Sequence, residues 1–293
     1  MPVLPQKFWL FLAPVIFLIL WSGGYVVAKI GLRHAPPITI LMLRYGCVVV
    51  IMAVLFVVMR PPLPRRGIDW AHLAVVGILI QTVYFGMTYL ALVNGVASGT
   101  AALLMSWQPI LVALIAPRWT QEHVSRRHWL GLLVALAGTS IVILSRMEVG
   151  PTPLLGFVLA LLGLCGITGA TLWEKRFGLS HHPITANLVG YAAGMICLAP
   201  FVIPELGRPI AWTGEFLAAM AYLVIGNSVI AVGLLLAMIR AGEVSRVSAL
   251  LFLVPPLAAL MAWVVLDEIM PPLAWAGLGV AGAGVWIVTR KPA

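Results

Sequence analysis

Runs of about twenty apolar residues, each closed by a short polar stretch, recur ten times along the chain, and a hydrocarbon layer about 30 Å thick asks for runs of that length. The pattern predicts spans at Phe8–Ala28, Pro37–Met59, Trp70–Leu92, Ala97–Ala116 and His128–Leu144. A second set follows at Pro153–Trp173, Ile184–Ile203, Glu215–Ile239, Val247–Leu266 and Leu273–Thr289. The polar connections are too short for a separate soluble domain. Pro61-Pro62-Leu63-Pro64 and Pro271-Pro272 mark turns, because proline lacks the N–H that a helix interior needs. The first run carries only Lys7 ahead of it and no small-residue cleavage pattern, so it is expected to stay as a helix.

Composition agrees with the pattern. Hydrophobic residues make up 62% of the 293 positions and charged residues 9%. A soluble domain carries about 25% charge, so this chain lacks a polar shell for a soluble fold and is expected in lipid. Its three cysteines, Cys47, Cys165 and Cys197, fall inside spans with no metal-ligand spacing and are expected as small buried hydrophobes.

The net charge of +9 is explained by where the cations fall. Lys7, Arg60, Arg65, Arg66, Arg118, Arg126, Arg127, Lys175, Arg176, Arg240, Arg246, Arg290 and Lys291 lie on one side of the ten-span layout. Lys29, Arg33, Arg146 and Arg208 lie on the other, and Arg44 lies within a span. The positive-inside rule then predicts a multi-pass inner-membrane protein with both termini cytoplasmic. Anionic lipid headgroups answer the basic surplus, and no nucleic-acid partner is implied.

The chain also repeats itself at an offset of 146 residues. Residues 90–142 match residues 236–288 at 18 of 53 positions without a gap, where about four or five would match by chance in so apolar a sequence. Pro109 pairs with Pro255, Glu122 with Glu268, Trp129 with Trp275, Gly131 with Gly277 and Gly138 with Gly284. Earlier, Gly23 pairs with Gly169, Lys29 with Lys175, Tyr45 with Tyr191, and residues 37–39 with 183–185. Five spans per unit put the second unit into the membrane upside down. The expected organisation is residues 1–146 as one five-helix repeat and 147–293 as its inverted partner. Inverted repeats recur in secondary transporters, with the substrate near the midplane between the halves.

These residues resemble the drug/metabolite transporter superfamily in its ten-helix, EamA-type form. The resemblance rests on Trp21-Ser22-Gly23-Gly24 before Lys29, Pro36-Pro37 before Arg44-Tyr45, and Ala102-Leu103-Leu104 before Pro109. It continues through Glu122, Trp129, Gly131 and Gly138, and again through Pro255, Glu268, Trp275, Gly277 and Gly284. Within that group the chain is similar to the YddG-type exporters of aromatic and other amino acids. The resemblance implies an all-α polytopic fold of two inverted five-helix repeats around a central cavity. It also implies export as the direction of transport.

Polar or aromatic groups deep in a span are costly in lipid and turn toward a cavity or another helix. Trp21, Ser22, Gln81, Tyr84, Trp107, Thr168 and Asn227 fit that description and are the candidates for a substrate path. Gln81-Thr82 and Asn227-Ser228 share the 146-residue offset, so each half sets an amide beside a hydroxyl at one depth. An amide donates and accepts, which suits a zwitterion; equally, such groups bind neighbouring helices for structure alone. Arg44 has the fork geometry for a substrate carboxylate, or a stem long enough to snorkel outward. Pro109 and Pro255 are hinge candidates.

All nine acids are expected in loops or near span ends, with no midplane carboxylate. A permanently cationic substrate is therefore not expected, and neither is obligatory proton coupling. No Walker-type loop, catalytic cluster, metal site or cofactor motif is found, which argues against an intramembrane enzyme, and no ring of like charge suggests a channel. The sequence leads to a monomeric exporter of small neutral or zwitterionic solutes, aromatic and other neutral amino acids first among them. A drug or other metabolite exporter is the alternative.

Overall fold

The computed structural model describes residues 6–96, 101, 104–119, 121, 124–145, 153–177, 181–241, 244–266 and 269–289. Glu122 and Glu268, with Ala102, Leu103, Arg146, Glu148, Glu243 and Asp267, lie outside the described residues. The described chain is all helix with no strand. In chain order α1 is Gln6–Leu32, α2 Pro37–Met59, α3 Gly67–Val93, α4 Gln108–Trp119 and α5 Arg126–Leu144. The second half has α6 at Leu154–Phe177 and α7 at Pro183–Leu198, which tightens into a 3-10 turn over Ala199–Glu205. Next, α8 runs through Gly214–Ala221, Tyr222–Ala231 and Val232–Ala241, and α9 through Val244–Ala249, Leu250–Leu253 and Val254–Leu266. The last helix, α10, is Pro272–Thr289. Among the described residues nine helices are long and apolar enough to cross a membrane. The remaining expected span is described at Ala101 and from Leu104 onward.

Local chemistry sets the helix starts. Proline occupies the first helical position of α2, α7 and α10, where its missing N–H costs nothing. Ser125 caps α5 by accepting from the His128 N–H, and Thr213 caps α8 by accepting from Phe216. The His182 ring nitrogen accepts from the Ile184 N–H at the start of α7. Proline also shapes α7, whose α-helical part stops at Leu198, short of the expected Ile203, because Pro200 and Pro204 force the tighter turn.

Two kinds of irregularity recur at equivalent places in the halves. Residues Ile78–Gly86 of α3 and Tyr222–Ala231 of α8 are wound as π-helix, and the two segments overlap under the 146-residue offset. Ahead of α4 the chain is helical at Leu104 and Met105, turns at Ser106 and Trp107, and resumes as helix at Gln108. In α9 the matching stretch is the 3-10 segment Leu250–Leu253. Pro109 and Pro255 each stand second in the helix that follows, so each proline begins a new helix where a kink within one was expected.

The halves meet along α5 and α10. A Cβ on Gly138 would collide with the backbone of Ala281, and one on Gly284 with the backbone of Ala135. Gly131 faces Val288 and the Gly284 carbonyl, while Gly277 faces Val142 and the Gly138 carbonyl. Every one of these contacts becomes its partner under the offset. Residue numbers rise on one helix as they fall on the other, so equivalent helices of the two repeats run antiparallel. Backbones approach this closely because dispersion, rather than water exclusion, holds helices together in lipid.

The outer surface is apolar, with Val57, Val58, Leu133 and Leu154 among its exposed side chains. Cys47, Cys165 and Cys197 are exposed on it, against the expectation that they are buried. A thiol is a small apolar group, and an apolar surround serves it as well as a packed core.

Gly138→Ala and Gly284→Ala are each expected to lower the melting temperature of the protein in detergent, by overpacking worth about 1–3 kcal/mol. Gly279→Ala and Gly282→Ala, where an added methyl meets open space, are expected to leave it unchanged.

Candidate functional site

Arg44 organises the interior. It lies seven residues past Pro37, about 10 Å into α2 at 1.5 Å per residue, yet it is only 1% exposed. Its stem turns inward rather than snorkelling. Nε donates to the Ser228 Oγ at 2.5 Å and Nη2 to the Asn227 Oδ1 at 2.6 Å, both on α8. The guanidinium carbon sits 4.7 Å from the Phe85 ring centroid, a cation–π distance. A first-half cation is thereby fastened to the π-segment of the second half.

The π-segments owe their shape to such contacts. Their wider turn frees carbonyls that an α-helix would use. The Tyr45 hydroxyl donates to the Gln81 carbonyl at 3.0 Å and the Tyr191 hydroxyl to the Ser228 carbonyl at 3.2 Å. These tyrosines are repeat mates, and their rings meet edge-on at 5.6 Å. Ser228 itself donates back to Leu223, and Thr82 donates to the Gly194 carbonyl on α7. The Asn227 amide reaches across to the Leu20 carbonyl of α1 at 3.3 Å.

Aromatic rings complete the cluster. Trp21 lies 6.5 Å from Tyr84 in a near-parallel stack and 6.1 Å from Phe85. Ser22 Oγ and Gln81 Oε1 are buried here without a hydrogen-bond partner. Trp21, Ser22, Arg44, Gln81, Tyr84 and Asn227 thus belong to one interior region built from α1, α2, α3 and α8. Two other expected residues do not join it. Trp107 is 47% exposed at the break ahead of α4, and the Thr168 hydroxyl is spent on the Leu164 carbonyl of its own helix. Phe85 is part of the site although nothing in its spacing singled it out. Tyr45 and Tyr191 carried a signal, their match under the offset.

A small cavity begins at Gln81 and Tyr191 and runs between α3, α6, α7 and α8 past Asn187 to Glu174. It offers about 20 Å³, room for one water. Glu174 is 1% exposed, and Glu205 is buried as well. Both carboxylates stand near helix ends, and both fold inward. Glu205 does so to cap α2, accepting from the N–H groups of Ile38 and Thr39 and from the Thr39 hydroxyl at 3.2, 2.7 and 2.9 Å. An anion suits the partial positive charge at a helix start. Beside it, His34 and Glu215 meet at 2.9 Å.

The far ends of the helices are bridged too. Arg176 at the end of α6 donates to the Trp119 carbonyl of α4 at 3.0 Å and lies 4.8 Å from its ring. His72 of α3 stacks on Phe177 at 4.3 Å. Contacts between the halves thus lie at both ends of the bundle.

Known proteins resemble this chain. A family model, the EamA-like transporter family, matches the chain twice, over residues 7–144 and 150–290. A probable amino-acid metabolite efflux pump of Salmonella typhimurium is 25% identical over 284 residues, covering 93% of this chain and 92% of its own. The inner membrane transporter YedA of Escherichia coli is 26% identical over 272 residues, 92% of this chain and 87% of its own. A crystal structure 19% identical in sequence superposes with a TM-score of 0.81 over 95% of this chain and 96% of that one, a likeness of fold.

Glu205→Ala is expected to lower stability in detergent by about 2 kcal/mol, since it leaves buried donors without a charged acceptor. Glu215→Ala, at a half-exposed pair, is expected to cost under about 1 kcal/mol. Parallel thermal melts would show whether the order holds.

Proposed function

Because the chain belongs to the EamA-like transporter family, and is a multi-pass membrane transporter rather than an enzyme, we propose that it exports amino acids and closely related carboxylates through the cluster around Arg44. Uncompensated charge in that cluster is the observation that carries the reading. A guanidinium stays charged at any physiological pH, and the side chains that touch it, Asn227, Ser228, Tyr45, Tyr191 and Phe85, are all uncharged. Asn227, Ser228 and Tyr191 engage part of its five-donor fork, and the planar fork matches a carboxylate. Trp21, Tyr84 and Phe85 supply an apolar wall for an aromatic or other neutral side chain. The amino-acid metabolite efflux pump among its relatives supports the same class of cargo.

Alternating access follows from the two-repeat build. Residues 1–146 and 147–293 act as inverted halves, both termini cytoplasmic, that rock about the α5–α10 seam in a single chain. The breaks ahead of Pro109 and Pro255 are the hinges. Opening toward one side parts Glu205 from α2, and opening toward the other parts Arg176 from Trp119. Flux runs down the substrate gradient without an obligatory proton, since among the described residues no carboxylate touches Arg44.

Proteoliposomes containing the purified protein are expected to take up phenylalanine, tryptophan, threonine, methionine or their N-acetyl forms saturably. Gln81→Ala and Trp21→Ala should each reduce that uptake by about tenfold, the effect of losing one buried hydrogen bond or ring contact. Trp107→Ala should leave it near wild type. Absence of flux for every compound, in a folded sample, would sink the amino-acid reading. Gradient-driven flux is further expected to persist with an uncoupler and in Glu174→Gln; its collapse in both would establish proton coupling instead.

A further inference from the structure

We infer that the site takes its cargo as a monoanion, a carboxylate without a free ammonium group, of which an N-acylated amino acid is the simplest case. The inference rests on the reading of the Arg44 cluster as the substrate site and narrows it by charge. Arg44 brings one positive charge into the membrane interior, and the groups touching it bring none. A lone charge at that depth is costly, and the cost falls away when an opposite charge settles beside it. A monoanionic carboxylate completes the pair. A zwitterion restores the imbalance, because its own ammonium arrives a few ångströms behind the carboxylate and leaves the site with a net positive charge.

Hydrogen-bond capacity points the same way. An ammonium group carries three donors and seeks acceptors for all of them, preferably an anion. The unspent acceptors in the cluster are Ser22 Oγ and Gln81 Oε1, both neutral. The Phe85 face is already taken by Arg44 itself, and the Trp21 ring is stacked on Tyr84. An amide N–H needs a single acceptor, and the one unspent Gln81 oxygen is matched to it. The cluster is thus equipped for a carboxylate, one modest donor and an apolar body.

Three probes with the same side chain separate the cases: phenylalanine, N-acetylphenylalanine and phenylalaninamide, of net charge zero, minus one and plus one at about pH 6, below the range in which an α-amino group titrates. In proteoliposomes of the wild-type protein, N-acetylphenylalanine is expected to half-saturate transport at a concentration lower than phenylalanine by at least about tenfold. Phenylalaninamide is expected neither to be carried nor to compete. Arg44→Gln, once shown to be folded by its melting curve, should erase the preference for the anion, and Arg44→Lys should keep part of it. Phenylalanine carried as well as or better than its N-acetyl form would overturn the inference while leaving the amino-acid reading standing. If all three were inert, along with the other amino acids, both would fall. A preference for the anion that survived in folded Arg44→Gln would overturn the role given to Arg44.

Discussion

A guanidinium held inside the membrane, with no carboxylate against it among the described residues, is the constraint around which this molecule is arranged. A guanidinium is a donor-only group, and the burial of Arg44 demands acceptors in fixed places. Asn227 and Ser228 supply the acceptors, which requires α8 to bring two successive polar side chains to one point. The π-winding of α8 belongs to that arrangement, since Ser228 turns its hydroxyl oxygen to Arg44 while donating back to Leu223 five residues earlier. Asn227 in turn holds Leu20 of α1, which places Trp21 and Ser22 beside α3. Four helices are thus positioned through one cation.

The two halves are built alike but are not equal, and the inequality falls where chemistry is needed. The repeat mate of Arg44 is Gly190, whose backbone lies against Gly77 so closely that a Cβ on Gly77 would overlap it. A Cβ on Gly190 itself would stand 3.3 Å from the Gly77 Cα, closer than ordinary contact. The tyrosine pair, the π-segments and the helix breaks keep the two-fold pattern, while charge and aromatic rings collect on the first half. The mouths also differ. At one, Glu205 caps α2 and satisfies Thr39; at the other, a histidine ring caps α7 and the hydroxyl of Thr185, mate of Thr39, is buried without a partner.

The architecture was legible in the sequence because lipid leaves few choices. Twenty apolar residues in a row have one stable form in hydrocarbon, and an offset that pairs Pro109 with Pro255 and Gly138 with Gly284 discloses the repeat without any structure. The site was legible in part. Trp21, Ser22, Gln81, Tyr84 and Asn227 stood out because polar or aromatic groups in mid-span need a reason. Arg44 stood out too, but the direction of its stem did not, since that depends on acceptors 183 and 184 residues away. Phe85 reads like any other apolar position. The inward fold of Glu174 and Glu205 was hidden because proximity to a helix end says nothing about which way a side chain turns. The π-winding was hidden for the same reason: long-range contacts, not local propensity, accompany it.

The seam between α5 and α10 has a consequence for how such a chain can change over time. Its contacts come in twofold-related pairs, as in an isologous dimer of identical subunits, so the molecule is in effect a dimer whose members are joined by a short connection. In a true dimer one altered gene alters both sides of the seam at once. Here the two sides mutate separately, and a residue that outgrows its pocket on one helix can be answered by a trimmed neighbour on the other. That freedom lets the halves drift apart in charge and shape, as they have at Arg44 and Gly190, while the backbone-to-backbone fit that aligns them is retained.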